Sequence, residues 1–194
     1  MESSTRLRWT IGVALLAGTI LPLHRDRIGL REQEAFRVVN SLPDRLYGPA
    51  WTVMQMGALG AAPATAGIAL LAGNRPLARR LVTVGTMAWT LAKVVKVLVR
   101  RGRPAALLGG VRSRGPESSG LGYLSGHAAV STALAAAAYP HLGPRGRRLA
   151  VASASVVGVS RIYVGAHLPL DVAGGVALGL LVDVASSIHG EAGR

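Results

Sequence analysis

Two histidines, three cations and one carboxylate interrupt segments of this chain that are otherwise almost wholly apolar. His167 is followed four residues later by Asp171, with Pro169 between them. Proline suits the first position of a helix, so a helix opening at Pro169 carries Asp171 in its first turn, from where the carboxylate can reach back toward His167 as in a capping box. An imidazole with a carboxylate to orient it and to stabilise its cation is equipped as a nucleophile or a base. His127 has no such partner in sequence and is better suited to act as a general acid. It follows Ser125 and Gly126, and a Ser-Gly pair opening a helix exposes backbone N–H groups that favour an anion. Taken singly, Ser125 is a helix cap, and Arg161 with Asp171 is a structural pair. Taken together with Lys96 and Arg103, they form a phosphate site with acid–base equipment. A phosphoryl group in transfer spreads negative charge over its equatorial oxygens, which fixed cations stabilise. Two-metal hydrolysis needs a cluster of carboxylates, and Asp171 with Glu117 is too few. The expected chemistry is phosphoryl transfer with no metal and no cofactor.

These residues need elements that bring them to one place. The chain has 194 residues, enough for one domain, and is 50% hydrophobic but only 4% aromatic and 16% charged. Its apolar mass is Ala, Val, Leu and Gly, which suits helices packed closely in lipid. Six apolar stretches approach the roughly 20 residues that cross a bilayer as helix: Trp9–Leu23, Gly48–Gly73, Leu81–Val99, Ser125–Tyr139, Leu149–Ala166 and Pro169–Ile188. The fourth is short and Ala-rich, so hydropathy marks it least clearly. With six crossings, the end of the third, the start of the fourth, the end of the fifth and the start of the sixth share one face. Lys96, Arg103, Ser125, Gly126, His127, Arg161, His167 and Asp171 can then converge there.

A charge in a spanning helix costs about 2.5–3.5 kcal/mol on insertion scales and needs a reason. Lys93, Lys96, Arg100 and Arg103 form one helical stripe that Pro104 should end. Arg100 and Arg101 read as ordinary cations snorkelling at the membrane boundary, whereas Lys93 and Lys96 lie too deep for that. Short connections on the side of the two termini carry Arg6, Arg8, Arg75, Arg79, Arg80, Arg145, Arg147 and Arg148, which puts both termini in the cytoplasm. The opposite side also holds arginines, several alternating with Asp26, Glu32, Glu34 and Asp44.

The formal net charge of +13 also fits nucleic-acid binding. Its usual sign is a basic face with stacking aromatics, and here the charges sit between and at the ends of apolar runs, so no nucleic-acid partner is expected. The first stretch follows Arg6 and Arg8 as a signal peptide would, but no small-x-small cleavage site comes after it, and a retained helix is expected. Over residues 25–47, Ile28, Phe36, Val39 and Leu42 are spaced as in an amphipathic interfacial helix, with a solvated loop as the equal alternative. Arg112 and Arg114 read as solvated, with contact to a second phosphate or a headgroup as the alternative.

Lys96-x6-Arg103-Pro104, then Ser125-Gly126-His127, then Ser160-Arg161-x5-His167-x3-Asp171 resemble the three-part signature of the type 2 phosphatidic acid phosphatase family. That family shares a superfamily with vanadium haloperoxidases and bacterial acid phosphatases. The resemblance implies an all-α polytopic membrane protein. It would be a bundle of six transmembrane helices with an acid phosphatase/vanadium haloperoxidase-like core, forming a single membrane-embedded domain over residues 1–194. It implies a phosphohistidine on His167, oriented by Asp171, with His127 protonating the leaving group. Lys96, Arg103, Ser125, Gly126 and Arg161 would hold the phosphate oxygens. The expected substrate is a lipid phosphate, such as a polyprenyl phosphate or diphosphate or a phosphatidic-acid-like lipid. The expected place is the outer face of a bacterial cytoplasmic membrane. Leu124 stands where the family usually has proline, and a looser phosphate loop with altered rate or substrate choice is expected there. A transporter or lipid-phosphate-binding scaffold on the same fold is the alternative, one that would not need the intact His127, His167 and Asp171.

Overall fold

The computed structural model describes residues 3–24, 28–115 and 120–192. Asp26 and Glu117 lie outside them. The described residues are helical, with no strand beyond an isolated bridge between Gly102 and Leu121. The α-helices are α1 (Ser3–Ile20), α2 (Leu30–Asn40), α3 (Tyr47–Met54), α4 (Ala61–Leu71), α5 (Arg75–Val99), α6 (Pro104–Leu107), α7 (Gly126–Ala138), α8 (Pro144–Tyr163) and α9 (Pro169–Ala192).

The helix boundaries follow local chemistry. Asn74 caps α5, its side chain accepting from Leu77 N at 3.0 Å. The helix stops at Arg100 in a left-handed conformation (φ 54°) just before Pro104. Ser125 caps α7 through Ala128 N. Pro144 and Pro169 open α8 and α9 at positions where no N–H is needed.

Among the described residues, two helical segments, Arg75–Val99 and Pro169–Ile188, are by themselves long and apolar enough to cross a membrane. The stretch expected as one span over 48–73 is instead broken between α3 and α4, with a bend of 71°. Beside the break the chain packs against α7 at backbone distance: a Cβ on Gly57 would lie 2.5 Å from the His127 carbonyl oxygen. The chain turns where it meets the start of α7. That helix, the weakest of the six stretches by hydropathy, has 13 residues, about 20 Å at 1.5 Å per residue. It is the central helix, with Ala128, Ala129, Val130, Ala133 and Ala137 fully buried among α5, α8 and α9.

Small residues let these helices approach to backbone contact, as in other membrane bundles. A Cβ on Gly175 of α9 would meet Ser125 O at 2.4 Å, and one on Gly179 would meet Ala129 O at 2.6 Å. Of the segment expected over 25–47, residues 25–27 lie outside the described residues, and α2 (Leu30–Asn40) forms where the amphipathic spacing places a helix. Its Phe36 is buried against Ile162 and Leu168 of the protein, so that apolar side faces the bundle and not lipid.

Two charges deep in the helices have identifiable partners. Lys93 faces outward with its Nζ 3.6 Å from the centroid of Trp89. Asp183 of α9, which hydropathy alone passes over, is fully buried and clamped by Arg8 Nη1 (2.5 Å) and Arg80 Nη2 (2.6 Å). Arg80 also donates to Ser187 Oγ at 2.5 Å. This clamp ties α1, α5 and α9 together. Asp183→Asn leaves two arginines facing each other without their shared anion and is expected to destabilise the fold by about 3 kcal/mol. The check is the thermal unfolding midpoint in detergent, and an unchanged midpoint would show that the clamp carries no stability.

Candidate functional site

His167 lies in the link between α8 and α9 and is 2% exposed. The link is tied back to α8, with Ala166 N and His167 N both donating to Arg161 O, at 3.1 and 3.2 Å. Gly165 makes the turn possible: its φ is +76°, and a Cβ there would strike Arg112 O at 2.7 Å. His167 Nδ1 is 3.6 Å from Asp171 Oδ2 and has no closer partner. That distance exceeds a direct hydrogen bond but is well within electrostatic reach. Burial pushes His167 below its usual value, to about 4, and Lys96 and Arg161 push the same way while Asp171 opposes them. The imidazole is therefore neutral near pH 7, with a free lone pair.

Asp171 is fully buried in the first turn of α9. Its Oδ2 accepts from Leu168 N at 2.8 Å, which is the reach-back that the Pro169 register implies, one residue beyond His167. Its Oδ1 accepts from Arg101 Nη1 at 2.8 Å. Asp171 O in turn accepts from Ser125 N at 2.8 Å, so the start of α7 is bonded to the start of α9.

The cations come from three elements. Lys96, at the end of α5, donates to Leu121 O (3.1 Å) and Gly122 O (2.9 Å), and so holds the link that leads into Ser125. Arg103 donates to Ala166 O at 3.2 Å, while its Nε is buried without a partner. Arg161, in the last turn of α8, touches Met54 Sδ at 3.4 Å, and its Nε is also buried and unpartnered. Buried guanidinium N–H groups left without acceptors are uncommon in a folded chain, and here they sit beside a helix N-terminus. Lys96, Arg103, Arg161, His127 and His167 lie within electrostatic reach of one another. His127 and Arg161 line an open cavity of about 200 Å³ together with Tyr47, Trp51, Met54 and Gln55. A larger cavity of about 290 Å³, beside Phe36 and Leu108, contains none of these groups.

The structure therefore brings together the eight residues singled out in the sequence, and it adds two. Arg101, expected as a snorkelling cation, has an 11% exposed side chain and bridges Asp171 to Glu32. Burial opposes its charge, but Glu32 and Asp171 outweigh that and hold the guanidinium above its usual value. Arg100, by contrast, is exposed. Arg114 is not solvated either: it bonds Asp44, Asn40 O, Leu42 O and Tyr163 O at 2.7–2.9 Å and stacks on the Tyr163 ring. These bonds occupy four of its five N–H groups, and the residue also lines the cavity beside His127. Arg112 is exposed. Leu124 is fully buried in the core, so packing holds the residue that stands in place of proline. Among the described residues, no three His, Asp or Glu side chains are grouped to hold a metal ion.

Helix ends gathered around half-buried cations, two imidazoles and a carboxylate define a helical protein built to receive an anion. Residues 77–189 match the PAP2 superfamily, and the chain belongs to that superfamily. Membership supports a lipid phosphate phosphatase, and the apolar helices make it an integral membrane protein. The fold resembles that of Aquifex aeolicus LpxE (TM-score 0.72, 23% identity, covering 80% of this chain and 94% of that one). It also resembles the first transmembrane PAP2 type phosphatidylglycerolphosphate phosphatase from Bacillus subtilis (TM-score 0.71, 21% identity, 94% and 97%). At these identities the likeness is one of fold. No curated protein sequence matches the chain.

Proposed function

We propose that this protein hydrolyses the phosphate ester of a membrane lipid without a metal, through a phosphohistidine on His167. The observation that carries the reading is the meeting of Lys96, Arg103, Arg161, His127 and His167, from separate helix ends, beside the N-terminus of α7. His167 Nε2 attacks phosphorus, Asp171 favouring the tautomer with the proton on Nδ1. The ester P–O bond breaks, and His127 gives its proton to the departing lipid oxygen. Water then attacks the phosphohistidine, His127 takes a proton from it, and inorganic phosphate leaves. Lys96, Arg103 and Arg161, with the backbone around Ser125 and Gly126, hold the phosphate oxygens as charge redistributes.

In this reading the chain crosses a bacterial cytoplasmic membrane six times, α3 and α4 acting as one bent crossing. Both termini are cytoplasmic and the site opens at the outer leaflet. The substrate is an amphiphile, either a polyprenyl phosphate or diphosphate or a phosphatidic-acid-like lipid. The cavity beside His127, with Trp51 and Met54 in its wall, supports an apolar leaving group. Purified protein in detergent with EDTA is expected to release phosphate from one or more members of a panel of isoprenoid and glycerolipid phosphates. Vanadate, which adopts the trigonal-bipyramidal geometry of the transferring group, is expected to inhibit. Binding of these lipids with no turnover would favour a transporter or scaffold.

A further inference from the structure

Asp171 faces two cationic claims. His167 Nδ1 is 3.6 Å away, and the Arg101 guanidinium is nearer, at 2.8 Å. An arginine that close in a low-dielectric site neutralises most of a carboxylate's field, so Asp171 alone with Arg101 would do little for the imidazole. A second carboxylate changes the balance. Glu32, from α2, pairs with the same guanidinium through two bonds, Nη1–Oε1 at 3.1 Å and Nη2–Oε2 at 2.7 Å, a bidentate geometry. Two carboxylates against one guanidinium leave one negative charge on the His167 side. Glu32 Oε1 also accepts from Leu170 N at 3.1 Å, which fastens α2 to the first turn of α9 next to Asp171. The Glu32 and Arg101 side chains are 8% and 11% exposed, so water screens this arrangement little.

We propose that Glu32 and Arg101 are positioning residues for the reaction: Arg101 fixes the Asp171 carboxylate, and Glu32 cancels the Arg101 charge so that Asp171 keeps its hold on the His167 imidazole. This rests on the assignment of His167 as nucleophile. The carboxylate cannot rotate, because Arg101 holds Oδ1 and Leu168 N holds Oδ2. The other charged or titratable groups acting on His167 are Lys96 from α5, Arg161 from α8 and His127 from α7, while Arg103, from the link after α5, acts on Asp171 and His127. All of these are cationic or neutral, so the negative charge on this side comes through Asp171 and Glu32.

The test compares Glu32→Gln, Glu32→Asp and the double variant Glu32→Gln/Arg101→Met in the full-length protein in detergent. Glu32→Gln leaves the Arg101 charge uncancelled. It is expected to lower kcat about tenfold, to change KM little, and to move the acid limb of the pH–rate profile down by about one unit. Glu32→Asp keeps the charge and should keep the wild-type acid limb. The double variant removes both added charges and should return the acid limb toward wild type; a merely structural role predicts a further loss instead. Unchanged kcat and acid limb in Glu32→Gln would overturn the proposal, as would a double variant with the acid limb of the single one. Should Glu32→Gln not fold, the acid limbs of Glu32→Asp and the double variant decide by the same criterion. His167→Ala is run alongside. If that variant stays active, the nucleophile assignment has failed; if it is dead while Glu32→Gln behaves as wild type, only the positioning role has.

Discussion

Replacing His167 with alanine is expected to stop phosphate release, a loss of about 10⁴-fold or more, as removal of a covalent nucleophile does elsewhere. The same variant should still bind a phosphate analogue. Lys96, Arg103 and Arg161 sit on α5, the link after it and α8, and none depends on the imidazole for its place: Lys96 is anchored on Leu121 O and Gly122 O, and Arg103 on Ala166 O. The turn that carries His167 is held through its backbone, to Arg161 O. Calorimetric titration with vanadate or phosphate, alongside an assay of released phosphate, separates the two effects. Full turnover in the variant would remove His167 from the reaction. Loss of binding together with turnover would mean that the imidazole builds the anion site.

His127→Gln is the second large effect, and its signature is selectivity. A general acid contributes about 10²- to 10⁴-fold when the departing oxygen needs a proton. A lipid alkoxide needs one, and p-nitrophenolate does not. In the first step the variant should therefore lose about a hundredfold or more on lipid phosphates while keeping most of the pre-steady-state rate of p-nitrophenolate release; steady-state turnover of both slows, because hydrolysis of the phosphohistidine still lacks its base. His127 is in the first turn of α7 at the wall of the cavity that also contains Trp51 and Met54, which is where a leaving group would rest. Equal losses in that first step on both substrates would assign His127 to phosphate binding and not to protonation of the leaving group.

Much of this arrangement can be read from the chain, for a physical reason. Ser125-Gly126-His127 sits at one helix start, and Arg161…His167…Asp171 spans the short link from one helix end to the next start, where spacing and capping chemistry suffice to say which side chains share a place. Lys96 and Arg103 stand on either side of a helix stop announced by Pro104. The helices show because apolar runs of sufficient length have few other solutions in lipid. What the chain does not disclose is pairing at long range. Glu32 and Arg101 are 69 residues apart, and nothing in either neighbourhood marks the other as partner, so Arg101 reads as a boundary cation. Asp183 looks like one charge in an apolar run, and only the packing of α1 and α5 against α9 supplies its arginines. The close approach at Gly57 is hidden in the same way, because its partner is a carbonyl on another helix.

The contact between α7 and α9 has a further consequence. Ser125 O and Gly175 meet where no β-carbon fits, so the separation between the helix that begins next to His127 and the one that begins next to His167 is set by bare backbone on both sides. A single methyl group inserted there would act as a wedge, forcing the two imidazoles apart without touching either. Tolerance to sequence drift is thus narrow at a residue with no functional group at all, and a hydrogen atom at position 175 guards the spacing on which the proposed two-step chemistry depends.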